Sequence, residues 1–320
     1  MQLIENLLRK LFIYISFPHN LKKEKISDYQ IKIIDELNIK IKNLIIKKSD
    51  NKLKTHKIFS ETVLSLIHKE KLCNFLREPF IQKMFFVHNR FYNIKFLNKI
   101  LKNKPDIWNK LLIENPVGNP VPFFLFKKSS GNRIRHVFLL KKIFEYCQIN
   151  KVDSVIELGG GYGCMAKIFN DLDNSVNYSI FDLPEVNLLQ YYYLKSNKIN
   201  FKFDDPNEIK VITSKINLLE EKIKILKKEN KKIMIVANWS LSEMPLSLRK
   251  ELEFLFENCN FGLISYQSNF EEICNKTYFE SLEEKLIDKF LFKSEPIKEM
   301  NGIFNANKHF LFLMKKNDKN

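Results

Sequence analysis

Val155-Ile156-Glu157-Leu158-Gly159-Gly160-Gly161-Tyr162-Gly163 decides the fold. The chain has eight glycines in 320 residues, and four of them fall in the last five positions of this stretch. An apolar run with an acid near its end, then clustered glycine, then the helical pattern from Cys164 to Asn170, reads as strand, tight loop and helix. Glycine takes backbone angles closed to other residues and removes the Cβ that keeps a ligand from the backbone. Two nucleotide classes use such a loop. Gly161-x-Gly163-x-x-Ala166 matches the dinucleotide pattern. Glu157, Gly159, Gly161 and Gly163 match an acid-led pattern. The acid separates them: a carboxylate repels a pyrophosphate and attracts an ammonium or sulfonium.

Outward from the loop, strands and helices alternate. Ser154–Leu158, Tyr178–Phe181, Ile233–Ala237 and Phe261–Tyr266 read as strands. Glu185–Lys195, Ile216–Lys228 and Ser247–Glu257 read as helices. Between residues 199 and 213, both Phe201–Phe203 and Lys210–Thr213 qualify as strand. Alternation of this kind predicts a parallel sheet covered by helices. Phe290–Pro296 and His309–Met314, around the turn-like Asn301-Gly302, predict a closing antiparallel hairpin. Asp182 follows Gly163 by 19 positions at the end of the next strand, the spacing of a ribose-binding carboxylate. It is also placed to cap the helix beyond Pro184.

Upstream the pattern is helical. Leu3, Ile4, Leu7, Leu8, Leu11, Phe12 and Ile15 make one amphipathic stripe, followed by Lys22, Lys23 and Lys25. It packs on its own domain or on a partner subunit, or lies on a membrane surface. From Ser27 to about Leu112, four to six further helices are expected. Asn115 to Pro122 holds three prolines and a glycine, so the boundary is set between a helical region, 1–115, and an α/β domain, 116–320. Arg133–Tyr146 reads as a helix.

The net charge is +16, which raises nucleic acid as a partner. Only Arg9, Arg77, Arg90, Arg133, Arg135 and Arg249 are arginine; the other 47 basic residues are lysine. Lys, Asn and Ile share AT-rich codons, and phosphate-reading sites favour the arginine fork, so composition explains the charge without nucleic acid. Five scattered cysteines with no C-x-x-C argue against a disulfide framework or zinc site and fit a reducing compartment. No secretory leader or 18-residue apolar span is read, so a cytoplasmic protein is expected, with contact at the inner face of the membrane left open.

The acid-led glycine loop and Asp182 resemble class I S-adenosylmethionine-dependent methyltransferases. That likeness implies a Rossmann-like sheet of seven strands, the last antiparallel, with S-adenosylmethionine held by Glu157, Gly159, Gly160, Gly161, Tyr162, Gly163, Asp182, Leu183 and Asn238. Phe181-Asp182-Leu183-Pro184-Glu185, Gln190-Tyr191-Tyr192-Tyr193-Leu194, the Asn238–Pro245 run and Gly118-Asn119-Pro120 are similar to sugar O-methyltransferases of bacterial surface-polysaccharide clusters. The implied reaction is methyl transfer to a sugar hydroxyl in lipopolysaccharide, capsule or glycan synthesis, on a nucleotide- or lipid-linked acceptor. Some relatives use magnesium, so a divalent metal stays open.

The acceptor would sit beyond the strand ends. Arg133, Trp239, Ser240 and Tyr266 are candidate acceptor contacts, the tryptophan by stacking on a sugar ring. His136, Glu243 and His309 are candidate bases. Each has an ordinary structural role available as well. The N/D-P-P-Y/F/W string of amino-methylating nucleic-acid enzymes is missing from this strand end. A nucleic-acid methyltransferase and a non-catalytic Rossmann-like binding module remain the alternatives, and homo-oligomerisation is open.

Overall fold

The computed structural model describes residues 26–45, 61–67, 69–85, 90–102, 106–301 and 308–317. The stripe from Leu3 to Ile15 and the Gly302 end of the last turn lie outside them. The chain divides into two interleaved units. One gathers the described part of Met1–Phe138 with Gly161–Leu172 and Pro184–Asn200; the other holds Leu139–Gly160, Asp173–Leu183 and the described part of Phe201–Asn320.

The first unit is almost wholly helical. It contains α1 (Asp28–Ile45), a helix at 61–66, α2 (Lys69–Leu72), α3 (Pro79–Met84), α4 (Tyr92–Leu101) and α5 (Asp106–Leu111). A small hairpin of β1 (Pro122–Phe123) and β2 (Phe126–Ser130) leads into α6 (Gly131–Cys147), which runs on into the second unit. To these the glycine loop's helix α7 (Cys164–Leu172) and α8 (Pro184–Ser196) add themselves. Helices α7 and α8 pack with the N-terminal helices. Tyr191 donates to Glu36 at 3.1 Å and Gln30 to the Tyr192 hydroxyl at 3.2 Å. Phe75 lies edge-on to Tyr162, Tyr192 and Tyr193, 6.0–6.3 Å between ring centres. Gly118, at φ +78°, lets Phe75 in: a Cβ there would sit 2.2 Å from the ring. Two strings that carry the family likeness, Gly118-Asn119-Pro120 and the tyrosine run, therefore meet in one apolar cluster.

The second unit holds the whole main sheet: β3 (Ser154–Leu158), β4 (Asn177–Phe181), β5 (Lys202–Phe203), β6 (Lys210–Thr213), β7 (Ile233–Asn238), β8 (Phe261–Gln267), β11 (Phe290–Pro296) and β12 (His309–Lys316). Its order is β11-β12-β8-β7-β3-β4-β6-β5. The pairs from β5 to β8 are parallel, and β12 lies antiparallel between β8 and β11. The eighth strand, beyond the seven expected, is the two-residue β5, so both qualifying runs between 199 and 213 are strands. All five residues of β3 are buried, as a central parallel strand requires.

Ile156 and Leu158, with Ile235 and Ala237 of β7, Ile264 and Tyr266 of β8 and Phe181 of β4, face one large core. That core is completed by α9 (Ile216–Lys228), α12 (Glu253–Glu257) and α13 (Asn275–Leu286). The period of two along a strand then turns Glu157, Tyr178, Asp182, Asn238 and Ser265 to the opposite face. Between β7 and β8 run α10 (Ser240–Glu243), α11 (Leu246–Glu251) and α12; the single helix expected over Ser247–Glu257 is broken at Leu252, whose backbone closes α11 and opens α12. A short hairpin of β9 (Asn269–Phe270) and β10 (Ile273–Cys274) precedes α13.

Candidate functional site

Strand order reverses at β3, with β4 on one side and β7 on the other, each leaving its carboxyl end beside Leu158. Such a switch point opens a crevice at the strand ends, where α/β sheets bind ligands. Gly159 N donates to Phe181 O at 2.8 Å, which holds the first glycine beside the start of Asp182. Two acids and an amide therefore gather on one face of one sheet.

Glu157 is 3% exposed and accepts from the Tyr178 hydroxyl at 2.9 Å. Burial pushes its carboxyl up to about 8; the Tyr178 hydrogen bond opposes the shift, and the Asp182 charge adds to it. Asp182 Oδ1 accepts from the backbone N–H of Leu183 at 2.8 Å, ahead of α8. Asn238 accepts from Ser265 Oγ at 3.2 Å, while its buried Nδ2 has no partner among the described residues. Positive charge would relieve the two crowded carboxylates, and the unpaired Asn238 Nδ2 calls for an acceptor.

The glycines of the loop make room for neighbouring side chains. A Cβ on Gly159, at φ +72°, would lie 2.1 Å from Cβ of Ser240; one on Gly163 would lie 3.1 Å from Leu194, and one on Gly161 would lie 3.3 Å from Phe85. Gly159→Ala is therefore expected to cost roughly 2–3 kcal/mol, from strained backbone and from the clash. Chemical denaturation of Gly159→Ala, of Ser240→Gly and of the double variant measures it: Ser240→Gly alone reports the lost hydroxyl bond to Leu158 O, and the coupling between the two changes reports the clash.

Several candidate residues have other work. Ser240 donates its hydroxyl to Leu158 O, fixing the loop from below instead of reaching an acceptor. Trp239 is 3% exposed, so it offers no face for a sugar to stack on; its indole N–H donates to His309 Nδ1 at 2.9 Å. Its φ of +66° is a strained angle for so bulky a residue. Its N–H to Ser265 O at 2.7 Å holds that angle, which turns the chain from β7 into α10. His309 thus has one ring nitrogen engaged as an acceptor. Tyr266 lies on the other face of the sheet, stacked between Phe279 and Phe310 at 4.1 and 5.2 Å.

Arg133 is 1% exposed inside the first unit, donating to Leu111 O and to Asp171 at 2.6 Å each, with Glu114 at 3.8 Å. Burial opposes its charge, but Glu114 and its other neighbours hold its pKa above the ordinary value. It stands as a core ion pair, with its guanidinium already engaged by protein. Tyr162 is also core, accepting from Asn132 Nδ2 at 3.0 Å, so its side chain is not spare for a cofactor. His136, in α6, is pushed well below the usual imidazole range by burial and by Arg135 and Arg133, and its buried Nδ1 has no partner among the described residues.

Glu243 ends α10, four residues past Trp239. Burial raises its carboxyl to about 7 against a 3.3 Å hydrogen bond from Gln267 Nε2. Gln267 Oε1 accepts from Ser242 Oγ at 3.1 Å. Behind this turn lies Arg249, fully buried. It donates to Ser242 O, Met244 O and Asn275 Oδ1 at 2.7–2.9 Å, and burial lowers it to about 10. Gln267 belongs to the polar run Ser265–Ser268 that ends its strand; Arg249 and Asn275 have no motif, and the one signal was an arginine kept where this chain almost always uses lysine. Among the described residues, no group of three or more His, Cys, Asp or Glu is placed to hold a metal.

Fold and strand-end acids together define an α/β protein with a Rossmann-type ligand crevice. No family model matches the chain, and no curated protein matches it. Among solved structures it is similar to the methyltransferase domain of bacterial CtHen1, with a TM-score of 0.40, 12% identity, and 57% of this chain and 97% of that one covered. It is also similar to precorrin-6y C5,15-methyltransferase from Geobacter metallireducens, with a TM-score of 0.39, 11% identity, and 57% and 87% covered. A SAM-dependent methyltransferase from Agrobacterium tumefaciens gives a TM-score of 0.37, 8% identity, and 57% and 61% covered. Likeness at this level identifies no substrate. No described helix is long and apolar enough to cross a membrane.

Proposed function

We propose that the chain is an S-adenosylmethionine-dependent O-methyltransferase acting on a sugar hydroxyl, in surface-glycan synthesis. What supports the donor most is Glu157 and Asp182 at adjacent strand ends, with the unpartnered Nδ2 of Asn238 on the same face of the sheet. S-adenosylmethionine carries the positive charge those acids lack and, when bound, supplies the methyl group. Glu157 would face its ammonium end, Asp182 its ribose, and Asn238 Nδ2 would donate to it.

A sugar hydroxyl is a weak acid and needs its proton taken as its oxygen becomes nucleophilic. Glu243 suits that role, since a carboxylate near 7 is half ionised at neutral pH and basic enough to accept a proton. Gln267 fixes the carboxylate by donating to Oε1, and Arg249 fixes the turn that carries it. The sugar acceptor itself rests on the sequence likeness.

Calorimetric titration with S-adenosylmethionine and with NAD⁺ tests the donor; binding of NAD⁺ instead, or of neither, would sink the proposal. For the base, Glu243→Gln should lower kcat by roughly 10²–10⁴ on an accepted sugar. Wild-type kcat should rise with pH through about 7, as the carboxyl loses its proton, and the variant should lack that limb. An unchanged profile would pass the role to His136 or His309.

A further inference from the structure

The β1–β2 hairpin of the first unit departs from ordinary turn chemistry. A two-residue connection calls for Gly, Asn or Asp, and this one is Phe124-Leu125. Phe124 leans on Phe123, 4.8 Å between ring centres, and Leu125 stands out at 58% exposure. The register then slips. Pro122 opposes Ser130 while Phe123 opposes Phe126, so exposed Lys127 and Lys128 bulge from the ladder. Glu114 N donates to Lys128 O at 2.8 Å, which pins Ile113, 49% exposed, alongside. Leu101, Ile113, Leu125 and Phe126 line an open groove of about 560 Å³, with Lys127 and Lys128 on its wall.

We infer that this hairpin is a docking surface for an anionic lipid bilayer, with Leu125 and Ile113 entering the headgroup layer and Lys127 and Lys128 meeting its phosphates. Charge complementarity selects the occupant. From Pro122 to Ser130 there is no acid, and Glu114, the nearest along the sequence, is turned inward to Ser130 and Arg133. Aliphatic residues flanked by lysines match a surface that is greasy within and negative outside. A second copy would set lysine against lysine and be repelled. The inference does not depend on the methyltransferase proposal.

The test is flotation of the full chain with phosphatidylcholine vesicles, with and without about 30% phosphatidylglycerol. The protein should float with the anionic vesicles only, and less so as salt rises. Each of Lys127→Glu and Lys128→Glu should weaken partitioning at least about fivefold. Leu125→Asp should weaken it about tenfold or more. Leu125→Trp, a mild change, should show a blue shift of emission on anionic vesicles, so the result does not depend on a variant that misfolds. Flotation with no shift would place the membrane contact elsewhere and overturn the inference. Absence of flotation would overturn it too, and so would self-association abolished by Leu125→Asp, which would give the surface to a second copy.

Discussion

Glu157→Gln will abolish S-adenosylmethionine binding and at the same time stabilise the free protein. Both effects come from one buried carboxyl. Its pKa rises from an ordinary 4.5 to about 8 on folding, so between those values the native chain holds a proton that the unfolded chain has released. Stability then falls as pH rises through that window. Glutamine keeps an acceptor for the Tyr178 hydroxyl and carries no charge to bury. The variant should match wild type near pH 4.5 and gain about 1.4 kcal/mol per pH unit above it, an upper slope, levelling off near pH 8. Denaturant midpoints across that range check it. Binding goes the other way. An ammonium favours the ionised acid, so wild-type affinity should improve by up to about tenfold per unit from pH 6 to 8, and the variant should show neither the affinity nor the slope. A variant that binds as wild type does, or one that loses stability at pH 8, would remove Glu157 from the site.

The strand-end positions of the residues behind that double effect were legible in the sequence. Glu157, Gly159, Asp182 and Asn238 could be placed because apolar runs, clustered glycine and the spacing between them mark where each strand stops. The strands were readable for a related reason: Ser154–Leu158 is buried on both faces, and such a run has few other uses. What escaped was whatever depends on contact across the chain. The first unit takes α7 and α8 because Tyr191, Tyr192 and Tyr193 find Phe75 and Glu36 there, partners more than a hundred residues away. Trp239 at φ +66° breaks the local preference of its residue type, and its bonds to Ser265 and His309 come from distant parts of the chain. Helix α13 was missed because its buried stripe of Phe279, Leu282 and Leu286 is sparse among Glu and Lys.

The arginines show the same limit from the other side. In a chain this rich in lysine, a retained arginine marks a need for a planar fork. The sequence alone cannot say whether that fork meets a ligand or the protein. Arg77, Arg133, Arg135 and Arg249 all donate to backbone carbonyls, those of Asn119, Leu111, Phe85, and Ser242 and Met244. They hold loops together where a lysine would supply one point charge.

Arg133→Met should therefore be a folding defect. The change removes the donor to Leu111 O, the partner of Asp171 and the cation beside Glu114, whose side chain is only 9% exposed. Breaking a buried pair by taking one partner leaves an uncompensated charge, at about 3–5 kcal/mol. Chemical denaturation should show that loss in full for Arg133→Met. It should show less for Arg133→Met combined with Glu114→Gln, because the second change removes the stranded carboxylate. Asp171→Asn alone should cost far less than Arg133→Met, because the Asp171 side chain is part-exposed and Arg133 keeps Glu114 and Leu111 O. A phosphate-binding arginine would behave oppositely: stability would hold, KM for a phosphorylated acceptor would rise, and Glu114→Gln would change nothing. The sign of the coupling between Arg133 and Glu114 decides between a core ion pair and a substrate clamp without any knowledge of the acceptor.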